Sequence, residues 1–156
     1  MLKFFWTQVT AIGNSVSSFL LLIIRLYWGY QFIVTGIGKL SHLSSIAAYF
    51  ESLSIPFPYL NALLAGSTEF LGGILLFFGL FSRIAAIPLF FVLCIAYVTA
   101  GREALSLLFS KLDPILFFSD TAFLFLYAVL IVFCFGPGKI SCDYWLTGAN
   151  KTKTMP

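Results

Sequence analysis

Glu69 sits at the centre of a run, Asn61 to Phe81, that carries no other charged residue. The run is about 20 residues long, enough to cross a bilayer core. A charge at mid-span costs roughly 2.5–3.5 kcal/mol on insertion scales, so a retained carboxylate marks structural glue or a site. Lys39 lies at the end of the preceding apolar segment and Asp120 near the start of the last one. One cation beside two carboxyls suits the binding of a proton or a polar ligand, because two carboxylates repel strongly in low dielectric. His42 and Tyr97 are placed to line such a cluster. The competing reading is a buried network that does no more than fix helix packing.

Depth along the segments decides which charges can meet. At 1.5 Å per residue, Arg25 lies about 8 Å from one membrane boundary and Glu69 about 18 Å from it. Helical side chains lean toward their own N-terminus, so Arg25 and Glu69 lean apart. Lys39 leans toward Glu69 across an axial offset of about 12 Å, which two long side chains with a bridging water would nearly close. Asp120 enters about 8 Å below the same outer surface. Lys39, Glu69 and Asp120 are therefore expected together in the outer half of the molecule. Arg25 is expected at the opposite end. There it meets C-terminal helix carbonyls or Asp143, if the Gly136-Pro137-Gly138 turn folds the tail under the bundle. An anionic lipid or a quinone head group is the functional alternative at Arg25.

Other chemistries find no support in the residue types. Cys94, Cys134 and Cys142 form no C-x-x-C pair and no zinc-type cluster with histidine, so no metal site is expected. His42 is the single histidine, which rules out a bis-histidine haem. It reads most simply as an interfacial residue, and otherwise as a quinone-carbonyl donor or a proton relay. No nucleophile triad or P-loop is present, and the net charge of +3 is scattered, which disfavours nucleic acid as a partner.

The elements that must position these residues are membrane helices. The 156 residues are 60% hydrophobic and only 10% charged, against about 25% charged in a soluble domain. Four apolar segments, near 19–40, 59–81, 84–100 and 115–135, predict an all-α integral membrane four-helix bundle forming one domain over 1–156. Ser82-Arg83 predicts a tight hairpin between the second and third. Residues 41–58 and 102–114 each carry an apolar stripe, and predict amphipathic segments lying at the interface. The first segment is too long for a signal peptide and is interrupted by Arg25, so it is expected to be retained. Met1 to Trp6 reads as an aromatic interfacial anchor. Lys3, Arg83, Lys139, Lys151 and Lys153 fall on one side, against Lys39, Arg102 and Lys111 on the other. The excess places both termini in the cytoplasm.

Four motifs in order carry a resemblance. They are Arg25-Leu26-x-x-Gly29-x-x-Phe32-x-x-x-Gly36-x-x-Lys39-Leu40 and Leu53-x-x-Pro56-x-Pro58, then Glu69-x-x-Gly72-Gly73-x-Leu75-x-x-x-Gly79-Leu80-x-x-Arg83-x-Ala85-Ala86. The tail adds Gly136-Pro137-Gly138-Lys139-x-Ser141-x-Asp143. With this order and spacing the chain resembles the DoxX family of small four-helix membrane proteins. It departs from the family pattern at Cys142, where an apolar residue is more usual. The resemblance implies a multi-pass protein of the bacterial inner membrane, and some members look like parts of oxidoreductase complexes.

The expectation that follows is an accessory membrane subunit of a quinone-linked oxidoreductase system. Such a subunit would have a polar pocket inside the bundle and a soluble redox partner protein. The chain carries no flavin or metal motif of its own and would not catalyse alone. No intrinsic cofactor is expected, and a quinone or a lipid is the candidate ligand. Two alternatives stay open: a protein that binds or moves a small solute or protons, and an assembly factor with no ligand.

Overall fold

A computed structural model of the chain describes the backbone of residues 2–99 and 121–151, with side chains at 13, 16–99 and 121–146. Within these residues the fold is helical: α1 (Leu2–Ser41), α2 (Leu43–Ser52), α3 (Pro58–Phe78), α4 (Ser82–Thr99), α5 (Thr121–Phe135) and α6 (Cys142–Lys151). The expected interfacial segment at 102–114 and the start of the fourth apolar segment, with Asp120, lie outside the described residues.

Three helical stretches, Val16–Ser41, Pro58–Phe78 and Ser82–Thr99, are long and apolar enough to cross a membrane, and α5 is a shorter apolar helix beside them. Large apolar side chains such as Phe19, Leu64, Phe91 and Phe133 are exposed on the outside of the bundle, as lipid-facing residues are. α1 continues without a break from Leu2 into the first span. The N-terminal aromatics are therefore part of the same helix rather than a separate element.

Glycine sets the central packing. α1 and α3 run antiparallel and approach so closely that a Cβ on Gly36 would stand 2.5 Å from the Phe70 backbone nitrogen and 2.9 Å from the Gly66 carbonyl oxygen. One heptad away, a Cβ on Gly29 would stand 2.8 Å from the Phe77 nitrogen, and one on Gly73 2.8 Å from the Ile33 nitrogen. Small residues at such spacing let two membrane helices touch backbone to backbone, where dispersion contacts are densest. α4 packs on the next face of α3, with Leu89 filling the space beside Gly72. Phe32, Leu76, Ala86, Leu89, Leu93, Val129 and Val132 make the buried core shared by all four long helices.

The connections differ from expectation in one place. The hairpin turn is Gly79 to Phe81, and Ser82-Arg83 already belong to α4. Gly79 has φ +68° and closes α3 with Gly79 N–H donating to Leu76 O at 3.0 Å and Leu80 N–H to Leu75 O at 2.8 Å, a Schellman pattern. That left-handed position favours glycine, so the helix ends there rather than at Phe81. At the other end, α2 forms within the expected interfacial stretch. Pro58 is the first residue of α3, where a missing N–H costs nothing.

The glycine seam gives a paired test. Gly36→Ala must push α1 and α3 apart and is expected to lower stability by roughly 1–3 kcal/mol, as overpacking does. Gly38→Ala, where nothing lies within 4 Å of the added methyl, is expected to be neutral or to stabilise by up to about 1 kcal/mol. Thermal unfolding of both variants in micelles checks the difference, and equal effects would refute the seam.

Candidate functional site

The α1–α3 register, read from the glycines, places two charged residues of α1 at opposite ends of the seam. Lys39 and Leu40 flank Gly66, and Arg25 reaches Gly79. The two sites are separated by 14 residues of helix, about 21 Å.

At the end nearer α2, Lys39 Nζ pairs directly with Glu69 Oε1. The Lys39 side chain is 27% exposed and that of Glu69 5%. The ammonium thus enters from the edge, while the carboxylate belongs to the interior. No bridging water is needed, because the axial offset is smaller than segment boundaries suggest. Gly36 faces Gly66 and Phe70, so Lys39 and Glu69 differ by about one helical turn, near 6 Å. Segment ends misplace the two helices because register is set by the glycines. Glu69 Oε2 is buried and has no hydrogen-bond partner among the described residues.

The other expected members of this cluster fall differently. Tyr97 is buried on α4 at the end of the stripe Ala86, Leu89, Leu93. Because Leu89 sits beside Gly72, Tyr97 lies about five residues of rise, near 7.5 Å, from Glu69 along the bundle axis, toward the Lys39 end. His42 is exposed between α1 and α2, and its Nδ1 lies 3.1 Å from the Gly38 carbonyl oxygen, so a ring protonated there closes the last turn of α1. His42 makes no described bond to Lys39 or Glu69. Asp120 lies outside the described residues.

The opposite end is organised by the tail. Arg25 is 1% exposed, and its Nη2 donates to the Ile140 carbonyl at 2.5 Å, while Nε and Nη1 have no hydrogen-bond partner among the described residues. Asp143 is within electrostatic reach of Arg25, but its carboxylate also has a task of its own. Its two oxygens accept from Phe81 N–H at 2.7 Å and Ser82 N–H at 2.9 Å, and its own N–H donates to Gly79 O at 2.9 Å. Asp143 therefore caps the N-terminus of α4 from 61 residues away, satisfying amides that have no partner within the helix. The Gly136–Gly138 turn does bring the tail beneath the bundle: a Cβ on Gly138 would lie 3.5 Å from Ser18 O.

These charges, spacings and glycines agree with a known family. The DoxX family model matches residues 20–102, more than half of the chain. The chain belongs to the DoxX family. The match runs from the start of the first span past α4 and includes Arg25, Lys39, His42, Glu69 and Tyr97. No curated protein and no solved structure matches the chain. The membrane location rests on this membership together with the apolar helices. Among the described residues, no group of three or more His, Cys, Asp or Glu is placed to hold a metal ion.

Sequence reasoning missed Gly66, Ile140 and the capping role of Asp143. Gly66 has a legible signal, its heptad spacing from Gly73. The other two have none, since both depend on where the tail turn lands.

Two mutational outcomes follow. Lys39→Met leaves a buried carboxylate uncompensated and is expected to cost roughly 3–5 kcal/mol, whereas Lys39→Met with Glu69→Leu is expected to cost less than Lys39→Met alone. Glu69→Gln, which keeps an acceptor for Lys39, is expected to be milder than Glu69→Ala. Denaturant unfolding in micelles reads this cycle, and strictly additive losses would dissolve the pair. Asp143→Ala removes both capping hydrogen bonds at the N-terminus of α4 and is expected to cost about 1–2 kcal/mol, with Asp143→Asn intermediate by the same measurement.

Proposed function

We propose that this DoxX-family protein is an accessory membrane subunit of a quinone-linked oxidoreductase in the bacterial inner membrane. On this reading both termini are cytoplasmic and a soluble partner carries the redox centre. The contribution of this chain is a site for a lipophilic ligand at Lys39 and Glu69. The observation that carries the reading is the buried Glu69 Oε2, which has no hydrogen-bond partner among the described residues while Oε1 is held by Lys39. A buried carboxylate oxygen left unmatched is costly unless something binds to it.

The pair suits both forms of a quinone. A quinone carbonyl accepts a hydrogen bond, which the ammonium of Lys39 supplies. A quinol hydroxyl donates one, which Glu69 Oε2 accepts. The bundle keeps such a ligand out of water, which strengthens both contacts.

The test is photolabelling of the purified protein with an azido-quinone. Labelling is expected to be displaced by excess unlabelled quinone and to fall at least about tenfold in Lys39→Met, which removes the charged donor to the quinone carbonyl. Unchanged labelling in Lys39→Met would overturn the reading. The same unmatched oxygen favours a second reading, in which Glu69 carries protons. Proton flux in liposomes holding this chain alone, abolished by Glu69→Gln, would select it.

A further inference from the structure

The four long helices do not close evenly. α1 packs along α3, α3 on α4 and α4 on α5, whereas α5 returns to α1 across a looser seam. Phe125 seals the middle of that seam against Trp28 and Phe32, with ring centroids 4.7 and 4.8 Å apart. Below this plug, toward the Gly136–Lys139 turn, the seam opens into a groove of about 970 Å³. That is near the upper end for a small-ligand site. Leu21 and Ile24 of α1 form one wall, and Ile131 and Phe135 of α5 the other. From Tyr127 to Phe135 the α5 wall is about 12 Å long.

The mouth of the groove is charged. Arg83, the second residue of α4, and Lys139, in the turn after α5, both line it. Arg83 is laid across Gly136, where a Cβ would lie 3.2 Å from its Nη2, and that nitrogen is 3.5 Å from the Cys134 carbonyl oxygen. Asp143 also lines the groove. Its two oxygens, however, are engaged by the Phe81 and Ser82 amides at the start of α4. Two cations against one carboxylate leave the mouth of an apolar slot net positive. Both stand where the spans end: Ser82 begins one apolar helix and Phe135 ends another. That is the depth of lipid phosphates, and basic residues there attract anionic lipids.

We propose that this groove holds an anionic phospholipid, its phosphate between Arg83 and Lys139 and one acyl chain between Leu21–Ile24 and Ile131–Phe135. The site is separate from Lys39 and Glu69, and it stands or falls independently of them.

Native mass spectrometry of the full chain, extracted in mild detergent, tests it with phosphatidylglycerol and phosphatidylcholine of identical chains and with glycerol 3-phosphate. Phosphatidylglycerol is expected to bind at least tenfold tighter than phosphatidylcholine, and glycerol 3-phosphate not to be retained. Each basic residue at a membrane surface contributes about fivefold, so Arg83→Gln with Lys139→Gln is expected to erase a preference of roughly 30-fold. Lys139→Gln alone, in the exposed turn, is expected to lose about fivefold and carries the charge test if Arg83→Gln disturbs the fold. Leu20→Trp, at a half-exposed position on the groove, is expected to weaken both lipids without changing their ratio. Equal binding of the two lipids by the unaltered protein, or an unchanged preference in the charge variants, would overturn the proposal. So would retention of glycerol 3-phosphate as tight as that of phosphatidylglycerol, which would mark a free-anion site.

Discussion

Backbone contact between α1 and α3 governs what every other part of this molecule can do. Two apolar helices in a membrane gain little from hiding apolar surface, since lipid is as apolar as they are. Their association rests on how many atoms they bring into van der Waals range. Gly29 and Gly36 on one side, with Gly66 and Gly73 on the other, remove the side chains that would hold the axes apart. Because these glycines recur at seven-residue intervals, the two helices can meet in one register and not in its neighbours. That register brings Lys39 onto Glu69 and Arg25 onto Gly79. The charged contacts are consequences of the seam, and they would be misaligned by a slip of a single turn.

The two ends of the seam solve the burial of charge differently. Near α2, an ammonium and a carboxylate neutralise each other, and one carboxylate oxygen is left without a match. At the turn end, a guanidinium is enclosed against a glycine and a backbone carbonyl, with a carboxylate nearby that is already engaged in capping a helix. Buried ion pairs are weak sources of stability, and loss of one partner is far more damaging than loss of both. The arrangement therefore fixes geometry more than it adds stability, and among the described residues each end keeps polar atoms without a hydrogen-bond partner.

Much of this was legible in the sequence. Composition and apolar run length gave the membrane helices, and the residues of the first motif, Arg25, Gly29, Phe32, Gly36 and Lys39, stand three and four apart, the spacing of a single helix face. The motif order gave the family. Depth counting separated Arg25 from Glu69 and joined Lys39 to Glu69, but it doubled the offset between the latter two. Segment ends are poor rulers when a helix such as α1 runs on past its apolar stretch. The role of Asp143 was hidden for another reason. A cap supplied from 61 residues away leaves no local pattern, because the amides it satisfies look like those of any helix start. The Gly136–Lys139 turn announced itself through its glycines and proline, although not the groove that it floors.

Gly79 carries one further implication, for how this chain can change. Its backbone is left-handed, and the space where a side chain would begin is occupied by the Arg25 guanidinium through Nη1. Any side chain at 79 must therefore displace Arg25. Shortening Arg25 instead opens a void and abandons the Ile140 carbonyl. Each position closes off the other's single-step exits. A side chain at 79 is thus opposed twice, by the left-handed backbone and by the guanidinium of a residue 54 positions away.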